Sequence, residues 1–194
     1  MKLLPYGDAA LLVDCDSLQE AQGWYAVLSD RAEAVLGART VLLRGVPSEL
    51  RSLVGRTSPA EPGESSSMPT VEIPVIYDGA DLDEVARLVG LTTTEVIEAH
   101  TRSTWTVAFG GFAPGFSYLV GGDPRLEVRR RDSPRARVPA GSVGLAGEFS
   151  GVYPRESPGG WQLIGRTTVS TWESDREPPA LLIAGMTVRF TVAR

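Results

Sequence analysis

Apolar positions in the first 56 residues predict a small α+β domain. Two short apolar runs, Ala9 to Val13 and Thr40 to Leu43, are typical of buried strands. Ser17 and Glu20 have the spacing of a capping box, and Gly37 is a suitable helix stop. Between these signals apolar residues recur at helical spacing, at Ala21, Trp24, Tyr25, Leu28, Ala32 and Val35.

A shorter helix is expected to follow, beginning near Pro47 and burying Leu50, Leu53 and Val54. The strands and helices together predict a small β/α sandwich over residues 1–56. Residues 56–69 then contain three prolines, four serines and two glutamates. This composition is typical of a linker, which we place at residues 57–69.

After the linker, Val71, Ile73 and Val75 alternate with other residues as in one strand. Two capped helices are then predicted. The first begins at Asp81 with Glu84, ends at Gly90, and has as its apolar face Leu82, Val85, Ala86 and Val89. The second begins at Thr92 with Glu95 and carries Val96, Ile97 and His100.

From Trp105 onward the pattern is that of a β-barrel or sandwich. Residues 110–165 contain 12 glycines and six prolines, which separate short apolar stretches. Val188, Phe190 and Val192 alternate with polar residues in a closing strand. The predicted fold class is therefore α+β, with a small N-terminal sandwich and a C-terminal barrel domain over residues 70–194.

Composition restricts the chemistry. One histidine and one cysteine leave no Cys/His zinc site and no visible metal ligand set, and Cys15 is expected to be a small buried apolar residue. The single lysine, Lys2, excludes a Gly-x-x-x-x-Gly-Lys phosphate loop. A net charge of −5 argues against nucleic-acid binding. Short apolar runs and no signal-peptide pattern predict no membrane association and a cytoplasmic location.

Four segments in order carry a family resemblance. They are His100 followed five residues later by Trp105, Gly111-Phe-Ala-Pro-Gly-Phe-Ser-Tyr-Leu119, Pro134-Arg-Ala-Arg-Val-Pro-Ala-Gly-Ser-Val143 and Ser157-Pro-Gly-Gly-Trp-Gln-Leu-Ile-Gly-Arg-Thr167. Through them the chain resembles the KipI/allophanate hydrolase subunit 1 family over about residues 71–192. The resemblance implies a cyclophilin-like barrel after an N-terminal α+β domain.

The same resemblance implies one subunit of an ATP-dependent 5-oxoprolinase, which converts 5-oxoproline to glutamate. It implies a larger partner, like the C subunit of 5-oxoprolinase, and a third chain, the A subunit, with ATP bound mainly by a partner. Two other functions stay open. One is inhibition of a sensor histidine kinase, and the other is a carboxyltransferase half-site that uses biotin on another chain.

His100 is the predicted catalytic residue because its unperturbed pKa lies near neutrality. The alternative is a helix-end histidine bonded to a backbone carbonyl. Arginines are in excess between Arg125 and Arg155, and a guanidinium suits a carboxylate or phosphate. Arg135 and Arg137, held between prolines, are predicted to bind substrate, whereas the run Arg129 to Arg131 is interpreted as a solvated strand face.

The turn Pro139 to Val143 is expected to offer backbone N–H groups and the Ser142 hydroxyl to an oxyanion. Ser142 is interpreted as a binding donor rather than a nucleophile, since no Gly-x-Ser-x-Gly elbow is present. The aromatic residues are assigned either to the barrel core or to a pocket wall. The remaining predicted substrate-binding residues are Phe112, Pro114, Phe116, Tyr118, Gly141 and Trp161.

Overall fold

A computed structural model describes residues 1–61 and 69–193 of the chain. The chain divides into two compact units, Met1–Ser67 and Met68–Arg194. Of the predicted linker, residues 62–68 lie outside the described residues. Its first residues contact the first unit, because the Ala60 amide donates to the Gly23 carbonyl at 3.1 Å.

The first unit is an antiparallel sheet with two helices. Its elements are β1 (Lys2–Pro5), β2 (Ala10–Asp14), α1 (Leu18–Leu28), β3 (Glu33–Leu36), β4 (Thr40–Arg44) and α2 (Pro47–Gly55). The strand order is β1-β2-β4-β3. Ser17 caps α1 by accepting a hydrogen bond from the Glu20 amide, as its spacing predicts.

The prediction that α1 extends to Val35 is wrong. The helix ends at Leu28, and Val35 lies in β3, opposite Leu42 of β4. Gly37 lies not at the helix end but just beyond β3. There its amide donates to the Thr40 carbonyl at 2.8 Å. The segment pairs with β4 from Glu33 to Leu36, a tertiary contact that helical spacing does not reveal.

The second unit begins with a strand and two helices, β5 (Thr70–Val75), α3 (Leu82–Val89) and α4 (Thr93–Arg102). Its remaining strands are β6 (Trp105–Gly110), β7 (Ser117–Val120), β8 (Arg135–Val138), β9 (Ser142–Ala146), β10 (Phe149–Val152), β11 (Ser157–Gly159), β12 (Gln162–Arg166) and β13 (Thr187–Val192). A 3-10 helix spans Pro124–Leu126. Thr92 and Glu95 form the predicted capping box of α4.

Seven of these strands form one sheet in the order β12-β9-β10-β7-β6-β13-β5. The two edge strands meet where Ile76 and Arg166 exchange backbone hydrogen bonds of 2.8 and 2.9 Å. The sheet is thereby a nearly closed barrel, which confirms the predicted fold class. Strands β8 and β11 pair separately as a two-stranded ribbon.

Successive residues of β9 face two different apolar clusters. Leu145 packs in the main core with residues of α3, α4 and the other strands. Ala146 packs in a smaller cluster with Val138 of β8 and with Phe116, Tyr153, Trp161 and Leu163. Because neighbouring side chains of a strand point to opposite faces, the ribbon lies over the outer face of the barrel sheet.

Candidate arginine and aromatic site

A buried carboxylate joins α3 to the segment around the ribbon. Asp81 occupies the N-cap position of α3, and its side chain is 3% exposed. Its Oδ1 accepts from Arg131 Nη1 and from Arg135 Nη2, each at 2.7 Å. Its Oδ2 accepts from the Leu163 amide at 2.7 Å. Asp81 therefore holds two arginines instead of capping its own helix.

The charge of Asp81 is stabilised by these donors. Burial raises the pKa of Asp81, but the hydrogen bonds from Arg135 and Leu163 and the charges of Arg135 and Arg131 outweigh that effect. The pKa of Asp81 consequently lies below the ordinary value of an aspartate. The carboxylate is thus ionised at neutral pH, and the predicted binding residue Arg135 has its charge partly neutralised.

The two arginines predicted to bind substrate do not share a site. Arg137 donates through Nε and Nη2 to Glu156 Oε1 at 2.9 and 2.7 Å, and both side chains are largely exposed. Arg135 instead turns towards Asp81. The interpretation of Arg131 as part of a solvated strand face is wrong. Arg131 is an ion-pair partner of buried Asp81 and lies outside any strand.

The other three predicted aromatic residues meet around Phe116. The Phe116 ring lies edge to face with Tyr118 at 5.1 Å, Trp161 at 5.2 Å and Phe112 at 5.3 Å between centroids. Phe116 and Trp161 are buried, so these two belong to the apolar cluster under the ribbon. Tyr118 is half-buried, and Pro114 is exposed.

Phe112 presents its ring to the surface from an unusual backbone conformation. Its φ is +64°, a region that side chains other than glycine seldom occupy, and 57% of the residue is exposed. Its ring still contacts Phe116 and Tyr153 at one edge. The loop between β6 and β7 therefore carries an exposed aromatic side chain next to a buried aromatic cluster.

Tyr153, which sequence reasoning missed, connects the aromatic cluster to the arginines. Its ring lies 5.4 Å from Phe116. Burial raises the pKa of Tyr153, while a hydrogen bond from the Trp161 amide and the charges of Arg130 and Arg135 oppose this. Its hydroxyl thus lies within the electrostatic influence of both arginines. A signal for Tyr153 was present in the sequence, because this aromatic residue directly precedes a proline in the segment Val152-Tyr-Pro-Arg155.

Two backbone donors of the turn before β9 are already used. The Gly141 amide donates to the Tyr153 carbonyl at 2.7 Å, and the Ser142 amide donates to the Pro139 carbonyl at 3.3 Å. The Gly141 and Ser142 amides are therefore not free to face an oxyanion, because the turn closes on itself and on Tyr153, the residue after β10. Ser142 itself is 5% exposed.

His100, the predicted catalytic residue, lies inside the barrel core with no exposed surface. Its Nδ1 bonds the Tyr77 hydroxyl at 2.7 Å and its Nε2 bonds the Ser150 hydroxyl at 2.9 Å. The ring stacks on Phe190 at 4.2 Å. Burial lowers the pKa of His100 to about 3, so the imidazole is neutral. It does not bond a backbone carbonyl, and within this chain its contacts are those of a core residue.

Asp81, Arg131 and Arg135 form a group that we call the Asp81 cluster. A surface cavity of about 310 Å³ adjoins this cluster. Its lining includes Arg129, Arg130, Arg131, Ser133 and Gln162. The predicted residues Phe112, Phe116, Arg135 and Ser142 do not line it. Gln162 was missed from sequence, although a polar residue between Trp161 and Leu163 interrupts an apolar run and signals a partner for its amide.

Residues 1–61 and 69–193 include no group of three or more His, Cys, Asp or Glu side chains placed to hold a metal ion. Over the same residues, no helix combines the length and apolar character needed to cross a bilayer.

Residues 1–182 match the family described as carboxyltransferase domain, subdomain C and D. The chain belongs to this family. Its match includes the N-terminal segment, which precedes the residues that carry the resemblance noted from sequence. The family prediction is confirmed, since curated relatives that are 46 to 50% identical carry the name of the 5-oxoprolinase B subunit.

The relative from Bacillus subtilis (strain 168) is 50% identical over 123 residues, which is 62% of this chain and 51% of that protein. The chain thus spans about half the length of this curated relative. A conserved uncharacterized protein from Pyrococcus horikoshii has a TM-score of 0.61 and 32% identity, with 99% of this chain and 97% of that one covered.

The urea carboxylase of Kluyveromyces lactis has the same fold. Its TM-score is 0.75 at 20% identity, and the match covers 99% of this chain but 22% of that protein.

Proposed function

We propose that this chain is one component of an ATP-dependent 5-oxoprolinase and works with two partners, a larger chain like the C subunit of that enzyme and an A subunit. The observation that carries the proposal is the 50% identity to a protein named as the 5-oxoprolinase B subunit. The sequence motifs that carry the family resemblance include the loop that exposes Phe112 and the strand that holds Arg135.

The chemistry of the lactam accounts for the use of ATP. The lactam of 5-oxoproline is a stable amide, and transfer of the γ-phosphoryl group of ATP to its oxygen makes that oxygen a leaving group. This chain has no lysine-containing phosphate loop, so we assign ATP binding to a partner. Its own contribution is one wall of a shared site, formed by the arginines of the Asp81 cluster and by the Gly-Phe loop between β6 and β7.

Arg135 and the exposed Phe112 are the groups that we assign to this shared wall, with Tyr118 beside Phe112. Arg137 on the same strand has exposed surface, and Ser142 is buried. His100 is buried beneath the sheet, so we assign it a positioning role through Ser150 of β10. A partner that covers the ribbon would complete the site, because both Phe112 and Arg137 have exposed surface to offer.

The test is reconstitution. The purified chain is mixed with its two partners, ATP and 5-oxoproline, and glutamate is measured with each component omitted in turn. We expect glutamate from the complete mixture and none when this chain is left out. If the complete, folded complex releases no glutamate, the proposal is refuted.

A second candidate function is that of a carboxyltransferase half-site, favoured by the family description and by the fold shared with urea carboxylase. It requires biotin on another chain. Avidin, which sequesters biotin, separates the two: it would abolish a carboxyltransferase reaction and leave 5-oxoproline hydrolysis unchanged.

A further inference from the structure

The cavity beside the Asp81 cluster carries uncommitted positive charge. Within the described ranges, the side chains of Arg129 and Arg130 form no ion pair and no hydrogen bond. Two acidic residues also line the cavity. Glu84 is engaged by Arg87, which donates to both of its oxygens at 2.6 and 2.9 Å, and Asp132 is exposed, so two free guanidinium groups face one free carboxylate. The cavity therefore offers guanidinium donors to an anion.

The same cavity borders a buried acceptor that lacks a partner. Gln162 is 4% exposed and lines the cavity. Its Nε2 donates to the Arg129 carbonyl at 3.2 Å, which fixes the amide orientation. In the part of the chain that the structure describes, Gln162 Oε1 and Arg131 Nε have no hydrogen-bond partner. An unpaired buried polar atom is unfavourable, so a ligand that supplies both partners is favoured.

We propose that this cavity binds a small carboxylate that carries an N–H group beside the carboxyl group. The arginines bind the carboxylate, and Gln162 Oε1 accepts the N–H. This assignment rests on the proposed function and identifies the ligand as 5-oxoproline, whose ring nitrogen neighbours the carbon that bears the carboxylate. Of the proposed wall, the cavity adjoins the Asp81 cluster through Arg131 and is not lined by Phe112. The volume of about 310 Å³ lies at the small end of ligand sites and suits a molecule of this size.

Three probes of matched shape test the assignment by calorimetric titration without ATP, on the chain alone and with its partners. They are 5-oxoproline, its lactone analogue in which oxygen replaces the N–H, and 2-pyrrolidinone, which lacks the carboxylate. We expect 5-oxoproline to bind, the lactone to bind about tenfold or more weakly because Gln162 Oε1 stays unpaired, and 2-pyrrolidinone not to bind. Equal affinity for lactam and lactone would overturn the role of Gln162.

Two variants locate the site. Arg130→Gln removes an exposed guanidinium without touching the Asp81 cluster, and we expect it to weaken 5-oxoproline binding about tenfold. Gln162→Leu should erase the preference for lactam over lactone. Arg189→Gln, an equal charge change at an exposed residue outside the cavity, is the control and should bind as the unchanged chain does. Unaltered affinity in Arg130→Gln, or no binding by the unchanged protein in either form, would refute the proposal.

The outcomes separate this inference from the proposed function. If the reconstituted enzyme with Arg130→Gln makes glutamate with unchanged rate and KM, the cavity is not the substrate site and the proposed function still holds. If 5-oxoproline binds in a way that depends on Arg130 but the complex releases no glutamate, the cavity assignment holds and the proposed function is refuted.

Discussion

At the scale of single residues, Asp81 is bonded by three donors that lie far from it in sequence. Arg131, Arg135 and Leu163 are 50, 54 and 82 residues away. Local pattern identifies Asp81 as a helix cap, and its backbone does occupy that position. The pattern cannot reveal that the carboxylate serves tertiary partners, because those partners are brought close by barrel closure.

Replacing Asp81 by asparagine tests this cluster. We expect Asp81→Asn to lower the free energy of unfolding by about 3 kcal/mol, near the low end for a broken buried ion pair, since its arginines are partly exposed. Asp78→Asn is the matched control. Its pair with Arg166 is about half exposed on both sides, so a loss of about 0–1 kcal/mol is expected. Urea denaturation at pH 7 measures both, and equal losses would contradict the account.

The burial of His100 predicts how the stability of the protein depends on pH. Burial lowers its folded-state pKa to about 3, below the ordinary value for histidine, so the unfolded chain binds more protons between these two values. Stability is full above the unfolded pKa and is lost as pH falls. We expect the free energy of unfolding to drop by about 1 kcal/mol between pH 7 and 5.5.

His100→Gln should abolish most of that slope, because His100 is the one histidine of the chain and carboxylates titrate mainly at lower pH. Urea denaturation at the two pH values gives the comparison. If the variant and the unchanged protein lose stability equally, the buried neutral state of His100 is refuted.

At the scale of elements, the turn before β9 depends on close backbone approach. Gly141 has φ +77°, and a Cβ there would overlap the Thr167 carbonyl oxygen. Gly147 has a similar φ of +58°, but nothing lies within 4 Å of a Cβ built on it. The two glycines share the same backbone requirement and differ in the space around them.

Alanine substitutions separate these two effects. We expect Gly147→Ala to cost about 1 kcal/mol, from left-handed backbone strain alone. Gly141→Ala should cost at least about 1–2 kcal/mol more, since the Thr167 backbone must also move. Denaturation midpoints of the two variants give the difference, and equal midpoints would show that the turn does not require the close approach.

Sequence predicted the elements well where a local signal was complete. Thr92 and Glu95 form the expected capping box, and Gly90 ends α3 with φ +69°. Helix α1 was predicted too long because Ala32 and Val35 also fit helical spacing, whereas β3 is defined by pairing with a strand that follows it. Strand β1, Lys2–Pro5, was not predicted, since its residues are largely exposed.

At the scale of the whole molecule, the barrel and the site come from the same contacts. Closure at Ile76 and Arg166 brings Asp81 to Leu163, and Asp81 then holds the arginines beside the cavity. Sequence motifs predicted the barrel and marked the Gly-Phe loop and Arg135. The cavity with Gln162 depends on strand order, which residue patterns do not specify.

The most direct measurement follows isotope-labelled 5-oxoproline by NMR in a mixture of ATP and the two partners, before and after this chain is added. Labelled glutamate is predicted to form after the addition, and to stop forming when ATP is exhausted. A steady 5-oxoproline signal in the presence of all three folded proteins and ATP would contradict the account.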